Sequence, residues 1–250
     1  MNLDNKTVLI TGGAGVIGRA LAEEFLARGC KVVACDVPGE RLDAARKALP
    51  GSLVTACDIT KDADVARLKA ETAAAFGLVH ILINNAVVNR TYSFARDAGA
   101  LATMELEIDT NFRAPLKLTR LFLPELLAQP EAAVVNVTSD LAHIPVAHKS
   151  LYTSLKAGLH AFTVALRDDL AATRIKVFEV QPPPVGPQKK GLYFGLTPRM
   201  PEDRFARQVL EAMEADTFEI RIGPSRYTYW MSRLAPGRIR RRMSVKQFTT

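Results

Sequence analysis

The chain has 250 residues, 48% of them hydrophobic and 24% charged, with a net charge of +7; this is ordinary for a soluble globular protein and long enough for one large α/β core. Its opening, Met1-Asn2-Leu3-Asp4-Asn5-Lys6, carries no apolar leader, and no run reaches the roughly 18 apolar residues of a membrane span. Cys30, Cys35 and Cys57 have no metal-type spacing and read as reduced core residues, so the expectation is a cytoplasmic protein, neither secreted nor membrane-spanning.

The charge is unevenly placed. Residues 224–250 hold seven Lys and Arg and no Asp or Glu, while the remainder carries 26 residues of each sign. The chain therefore divides into a domain over 1–223 and a basic, aromatic-rich C-terminal tail over 224–250.

Taken in order, Lys6 to Ile10 is a β-branched run that ends at Thr11 and a glycine cluster, and Gly15 to Arg28 has helical periodicity. Gly13-Ala14-Gly15-Val16-Ile17-Gly18 between them satisfies GxGxxG, where bare backbone and a helix N-terminus suit a pyrophosphate. A second strand, Lys31 to Cys35, delivers Asp36 eighteen residues past Gly18. An acid there suits the ribose 2′-hydroxyl of NAD and repels the 2′-phosphate of NADP. Val37, Pro38, Gly39 and Glu40 separate it from Arg41, so NAD is favoured and NADP is the lesser expectation.

Leu53 to Cys57 reads as a third strand, followed by Asp58 and Ile59, and Asp62 to Phe76 as a helix. Leu78 to Ile83 is a fourth, unbroken apolar strand, with Asn84-Asn85-Ala86 at its carboxyl end, where open α/β sheets bind ligands. Ala100 to Leu127 has helical spacing and contains Asn111, with Pro115 and Pro124 as local disturbances. Ala132 to Val137 is the fifth strand and ends at Thr138-Ser139. After a loop with His143 and His148, Ser150 to Ala172 is the helix carrying Tyr152 and Lys156. Ile175 to Val180, a proline-rich excursion from Pro182 to Pro201, a helix from Pro201 to Glu214 and a strand from Thr217 to Ile222 complete the pattern. Strands alternating with helices predict one α/β domain with a doubly wound parallel sheet of Rossmann type.

Tyr152 and Lys156 sit four apart on one helix face, roughly 6 Å between Cβ atoms. An ammonium beside a phenol favours the phenolate, so the pair can trade protons near neutral pH while Ser139 holds a substrate oxygen. His143 and His148 read as loop residues at the surface or beside substrate, with no third ligand for a metal.

Jointly, the Thr11–Gly18 turn, Asp36, Asp58, Asn84-Asn85-Ala86, Asn111, Ser139, Tyr152 and Lys156 resemble a short-chain dehydrogenase/reductase over about residues 5 to 222. The resemblance implies an NAD(P)-dependent enzyme that moves hydride between a nicotinamide and a carbonyl or secondary alcohol. Tyr152 would be the general acid or base, Ser139 would bind the substrate oxygen, Lys156 would tune Tyr152 and hold the ribose, and Asn111 would anchor a water relay. The implied cofactor contacts are Gly12, Gly15, Val16, Ile17, Gly18, Asp36, Asp58, Ile59, Asn85, Ala86, Pro182 and Val185, with Tyr152 and Lys156. Homodimers or homotetramers are usual in that family.

The sequence departs from the family pattern at three places. Val16 stands where a glycine is usual, Val87 replaces the glycine of Asn-Asn-Ala-Gly, and Pro182-Pro183-Pro184 with Pro187 replaces a Pro-Gly and a later threonine. A double proline and Phe218-Glu219-Ile220-Arg221-Ile222-Gly223 are similar to a branch of reductases encoded with teichoic-acid D-alanylation genes. The departures keep a second reading open, a non-redox cyclase, dehydratase or isomerase, or a cofactor-sensing binding protein. Val87, Val88, Tyr92, Leu192, Tyr193, Phe194 and Leu196 are candidates to line a pocket for an apolar small molecule. The tail, with Tyr227, Tyr229, Trp230, Met231, Leu234 and Ile239 among its arginines, reads as a subunit contact or a peripheral membrane attachment; no nucleic-acid motif accompanies it.

Overall fold

The structure, a computed structural model, describes residues 1–94, 97, 100–187 and 199–245. The apolar runs form seven strands: β1 (Thr7–Thr11), β2 (Lys31–Asp36), β3 (Leu53–Ala56), β4 (Ile81–Asn84), β5 (Ala132–Val137), β6 (Ile175–Gln181) and β7 (Glu219–Arg221). They pair in parallel in the order β3-β2-β1-β4-β5-β6-β7. The chain winds outward from β1 to β3, then returns to lay β4 against the other side of β1. That reversal opens a crevice at the carboxyl ends of β1 and β4.

Side-chain alternation along the strands supplies two cores. Val8 and Ile10 point to one face and Leu9 to the other. The first face is covered by α1 (Val16–Ala27) and α7 (Glu202–Glu214), through Leu21, Phe25, Phe205 and Leu210. The second is covered by α3 (Asp62–Phe76) and α5 (Ala114–Leu127), through Leu68, Leu118 and Phe122. α2 (Glu40–Ala48) follows β2, and α4 (Ala100–Ile108) precedes α5. α6 (Ser150–Asp169) lies against β6, and α8 (Pro224–Leu234) and α9 (Pro236–Val245) end the described chain.

Beyond small shifts at the ends of α6 and β7, three regions differ from the sequence expectation. The helix predicted over Ala100 to Leu127 is broken by a π-turn at Asp109–Arg113. There the Asn111 side chain is tied to the backbone of Val88, and Pro115 has no N–H to return to the Asn111 carbonyl. β4 starts at Ile81 rather than Leu78, because the Val79 N–H donates to the Glu125 carboxylate instead of to a neighbouring strand. The segment set apart as a tail folds back as α8 and α9, and Ile239 and Met243 are buried with Leu141, Ile144, Val146 and Tyr152.

Candidate active site

The crevice begins where β1 ends. Gly12 takes a left-handed backbone (φ 64°), and a Cβ there would lie 2.7 Å from the Ala86 Cα. At Gly18 a Cβ would come within 2.2 Å of the Gly12 carbonyl oxygen, and at Gly13 within 2.7 Å of the Ala34 Cβ. The GxGxxG glycines thus have separate duties: Gly13 lets the turn sit on β2, Gly15 precedes the first residue of α1, and Gly18 lets α1 approach the turn. Val16, at the place of a usual glycine, meets Gly186, where a Cβ would lie 3.2 Å from Val16 Cγ1.

A cleft of about 440 Å³ follows this turn along the ends of β1, β2 and β4. Gly12, Gly15, Val16, Ile17 and Gly18 line it, as do Asp36, Asp58 and Ile59 towards β2 and β3 and Asn85, Ala86 and Val185 towards β4 and β6. Tyr152, Lys156 and the buried Pro182 are not among its lining residues. A glycine turn bare of Cβ atoms at a helix N-terminus, with a carboxylate at the end of β2, fits a dinucleotide. Val87 lines the same cleft and is half exposed (49%).

Arg41, set aside on sequence spacing, also lines the cleft with Asp36, because α2 starts at Glu40 and its first turn faces the end of β2. Distance in sequence overstated its distance from the ribose end. Asp36 also holds its own turn together, since its carboxylate accepts from the N–H groups of Ala14 (3.2 Å) and Val37 (2.9 Å). The Asp58 carboxylate accepts from both the backbone N–H and the hydroxyl of Thr60.

Two asparagines clamp the crevice. Asn85 donates its amide to the carbonyls of Thr11 (2.9 Å) and Gly12 (3.1 Å), locking β4 to the glycine turn. Asn111 is fully buried; it accepts from the Val88 N–H (2.8 Å) and donates to the Val88 carbonyl (2.7 Å). Its side chain is therefore spent on holding the segment after β4.

Ser139, just beyond β5, accepts from the Leu141 N–H (3.1 Å), donates to the Asp140 carboxylate (3.3 Å), and acts on the nearby Tyr152 phenol. Lys156 donates to the Val137 carbonyl (2.7 Å), and its nitrogen stands 6.0 Å from the Tyr152 ring centroid. Burial pushes the phenol up to about 12, with Asp140 and Glu107 adding to the rise and Ser139 opposing it. Burial also brings the Lys156 ammonium down to about 8, with Glu179 opposing. Burial governs the phenol, while the Lys156 ammonium is turned to a backbone carbonyl.

The short chain dehydrogenase profile matches residues 6–191. The chain belongs to the short-chain dehydrogenase/reductase family. It is 35% identical over 224 residues to the uncharacterized oxidoreductase DltE of Bacillus subtilis, covering 88% of this chain and 89% of that one. It is 30% identical over 180 residues to the NADP-dependent 3-hydroxy acid dehydrogenase YdfG of Salmonella typhimurium, 72% of each chain. Among solved structures, a short-chain dehydrogenase/reductase from Burkholderia phymatum in complex with NAD superposes with a TM-score of 0.81 at 22% identity, over 96% of this chain and 95% of that one. The chain is accordingly an oxidoreductase of a nicotinamide-using family.

In this short-chain dehydrogenase, the groups behind Lys156 are absent from the sequence-based expectation. Glu179 on β6 is fully buried; it accepts from the Thr138 hydroxyl (2.6 Å) and pairs with His160 Nδ1 (2.8 Å), one turn after Lys156 on α6. The pairing raises His160 and helps hold Glu179 below the usual carboxylate range. His143 packs edge-on to His160 and meets Gln181 at 3.2 Å, so it belongs to this network. His148 is buried, which corrects its reading as a surface residue, and its carbonyl accepts from the Tyr92 N–H. An acid inside an apolar strand was the available signal for Glu179. Leu192, Tyr193, Phe194 and Leu196 lie outside the described residues.

Proposed function

We propose that this short-chain dehydrogenase interconverts a carbonyl and a secondary alcohol on an apolar small molecule, with Tyr152 as general acid or base. The observation that carries the reading is the meeting of the Ser139 hydroxyl, the Tyr152 phenol and the buried Lys156 at the carboxyl end of β5. A nicotinamide dinucleotide, when bound, supplies or accepts the hydride. Ser139 orients the substrate oxygen, and Tyr152, protonated at neutral pH, gives it a proton in the reducing direction. Lys156, as an ammonium, steadies the negative charge that develops on the phenol oxygen, and the Asn111 carbonyl offers an anchor for a water that returns the proton. Asp36 favours NAD through the ribose hydroxyl, and Arg41 beside it lessens the discrimination against NADP. Exposed Leu101, Leu106, Leu121 and Leu127 on α4 and α5 suit assembly as a homodimer or homotetramer. The three buried free cysteines suit a cytoplasmic residence.

The test is oxidation of NADH and NADPH across a panel of apolar ketones and aldehydes. Turnover in the wild type, with dinucleotide binding retained and turnover lost in Tyr152→Phe, supports the reading. Dinucleotide binding without turnover of any member, in either direction, would overturn it in favour of the non-redox alternative.

A further inference from the structure

The helices after β7 present two unlike faces. On α8, Ser225 and Thr228 are buried against the body. Tyr227 (50% exposed), Trp230 (59%) and Leu234 (77%) recur at i, i+3 and i+7, so they share the opposite side of the helix. On α9, Ile239 and Met243 point inward, one turn apart, into the buried cluster that includes Leu141, Ile144 and Tyr152. Exposed Arg226, Arg233, Arg238, Arg240, Arg241 and Arg242 cover the remaining surface of the two helices, and no acidic residue occurs from 224 to the end of the sequence.

We propose that α8 and α9 dock this enzyme on an anionic lipid surface, with Tyr227, Trp230 and Leu234 entering the headgroup layer and the arginines facing lipid phosphates. An exposed aromatic and aliphatic stripe beside arginines without acids is the chemistry of a helix lying in a membrane interface. Each such cation adds to attraction by an anionic leaflet, and an aromatic ring sits well at headgroup depth. Self-association fits the charge less well. A two-fold interface would set this face against its own copy, arginine against arginine, and the rest of the chain, with 26 residues of each sign, offers no net acidic charge to receive it. Because the inner side of α9 packs into the buried cluster that also holds Tyr152, the docked face lies close to the reacting groups.

Trp230 is the chain's one tryptophan, so its emission reports this face alone. The full-length protein is mixed with vesicles of phosphatidylcholine, with and without phosphatidylglycerol. The expected result is co-sedimentation and a blue shift of Trp230 emission with the phosphatidylglycerol vesicles only, both weakened by salt. Replacing Arg238, Arg240, Arg241 and Arg242 together by Gln should lower vesicle affinity at least about tenfold. Trp230→Ser with Leu234→Ser should weaken co-sedimentation similarly, and it keeps the test open if the fourfold variant does not fold. Absence of binding to phosphatidylglycerol vesicles, or equal binding to neutral ones, would overturn the proposal. So would a wild-type oligomer that the serine variant dissociates in solution while vesicle binding is unaltered, or retention of short nucleic acid duplexes in preference to vesicles.

Discussion

Between β1, β2 and β4 the crevice is shaped by glycines whose missing side chains leave backbone exposed, whereas beside β5 and β6 it is lined and backed by ionisable groups held out of water. Gly12, Gly13 and Gly18 each sit where an added Cβ would fall within 3 Å of a neighbouring atom. Asp140, Lys156 and Glu179 are each buried, and each is compensated by a hydrogen-bonding partner. The first half is shaped chiefly by volume rather than by buried charge. The second is fixed by charge, so it should tolerate isosteric replacement sterically while responding to protonation.

The most severe test of that contrast is Tyr152→Phe, which keeps volume and removes the proton. We predict a fall in kcat of about 10²- to 10⁴-fold, with dinucleotide affinity held near the wild-type value in a fluorescence titration. A comparable loss of affinity would mean that the halves are not separable. Next is Gly18→Ala, a single methyl placed 2.2 Å from the Gly12 carbonyl oxygen. It should destabilise the fold by about 1–3 kcal/mol and abolish measurable dinucleotide binding, with no change in the shape of a stability–pH curve; melting profiles across pH check both parts.

Glu179→Gln sharpens the other side. Lys156 has a folded value of about 8, below the ordinary lysine value of 10.5. As pH rises through that window the folded state gives up the proton first, so burying the ammonium costs stability below about 8 and the cost is relieved towards 10.5. Without the Glu179 charge the lysine should lose its proton at still lower pH. We expect the alkaline limb of the pH–kcat/KM profile to move to lower pH, with activity at neutral pH falling several-fold; an unmoved limb would show that Glu179 is only a structural partner. The smallest effect is expected at Arg41, an exposed charge. Arg41→Ala should raise KM for NADPH over KM for NADH by a few-fold, in line with the worth of a solvent-screened ion contact.

How much was legible in the sequence follows the same division. The turn at Gly12–Gly18, the strand ends at Asp36 and Asn85, and the Tyr152–Lys156 face of α6 were readable because each expresses a local demand of backbone geometry or helix period. Arg41, the π-turn around Asn111 and the burial of Glu179 were not, because each depends on a neighbour remote in sequence: the end of β2, the backbone of Val88, and His160 with Thr138. The burial of the Tyr152 phenol was hidden for a related reason. Spacing on a helix gives proximity to Lys156 but not the direction in which the ammonium points, nor the depth of the phenol.

The contact between Val16 and Gly186 carries a lesson for anyone recombining this chain with its relatives. Gly186 is buried at φ 118°, and any larger residue there would both strain the backbone and press on the valine. The glycine is required by its own backbone, and the valine adds a second, smaller demand on the same spot. A relative's larger residue brought to position 186 should therefore be costly in either background and somewhat less so beside a glycine at position 16, a difference open to a double-mutant cycle.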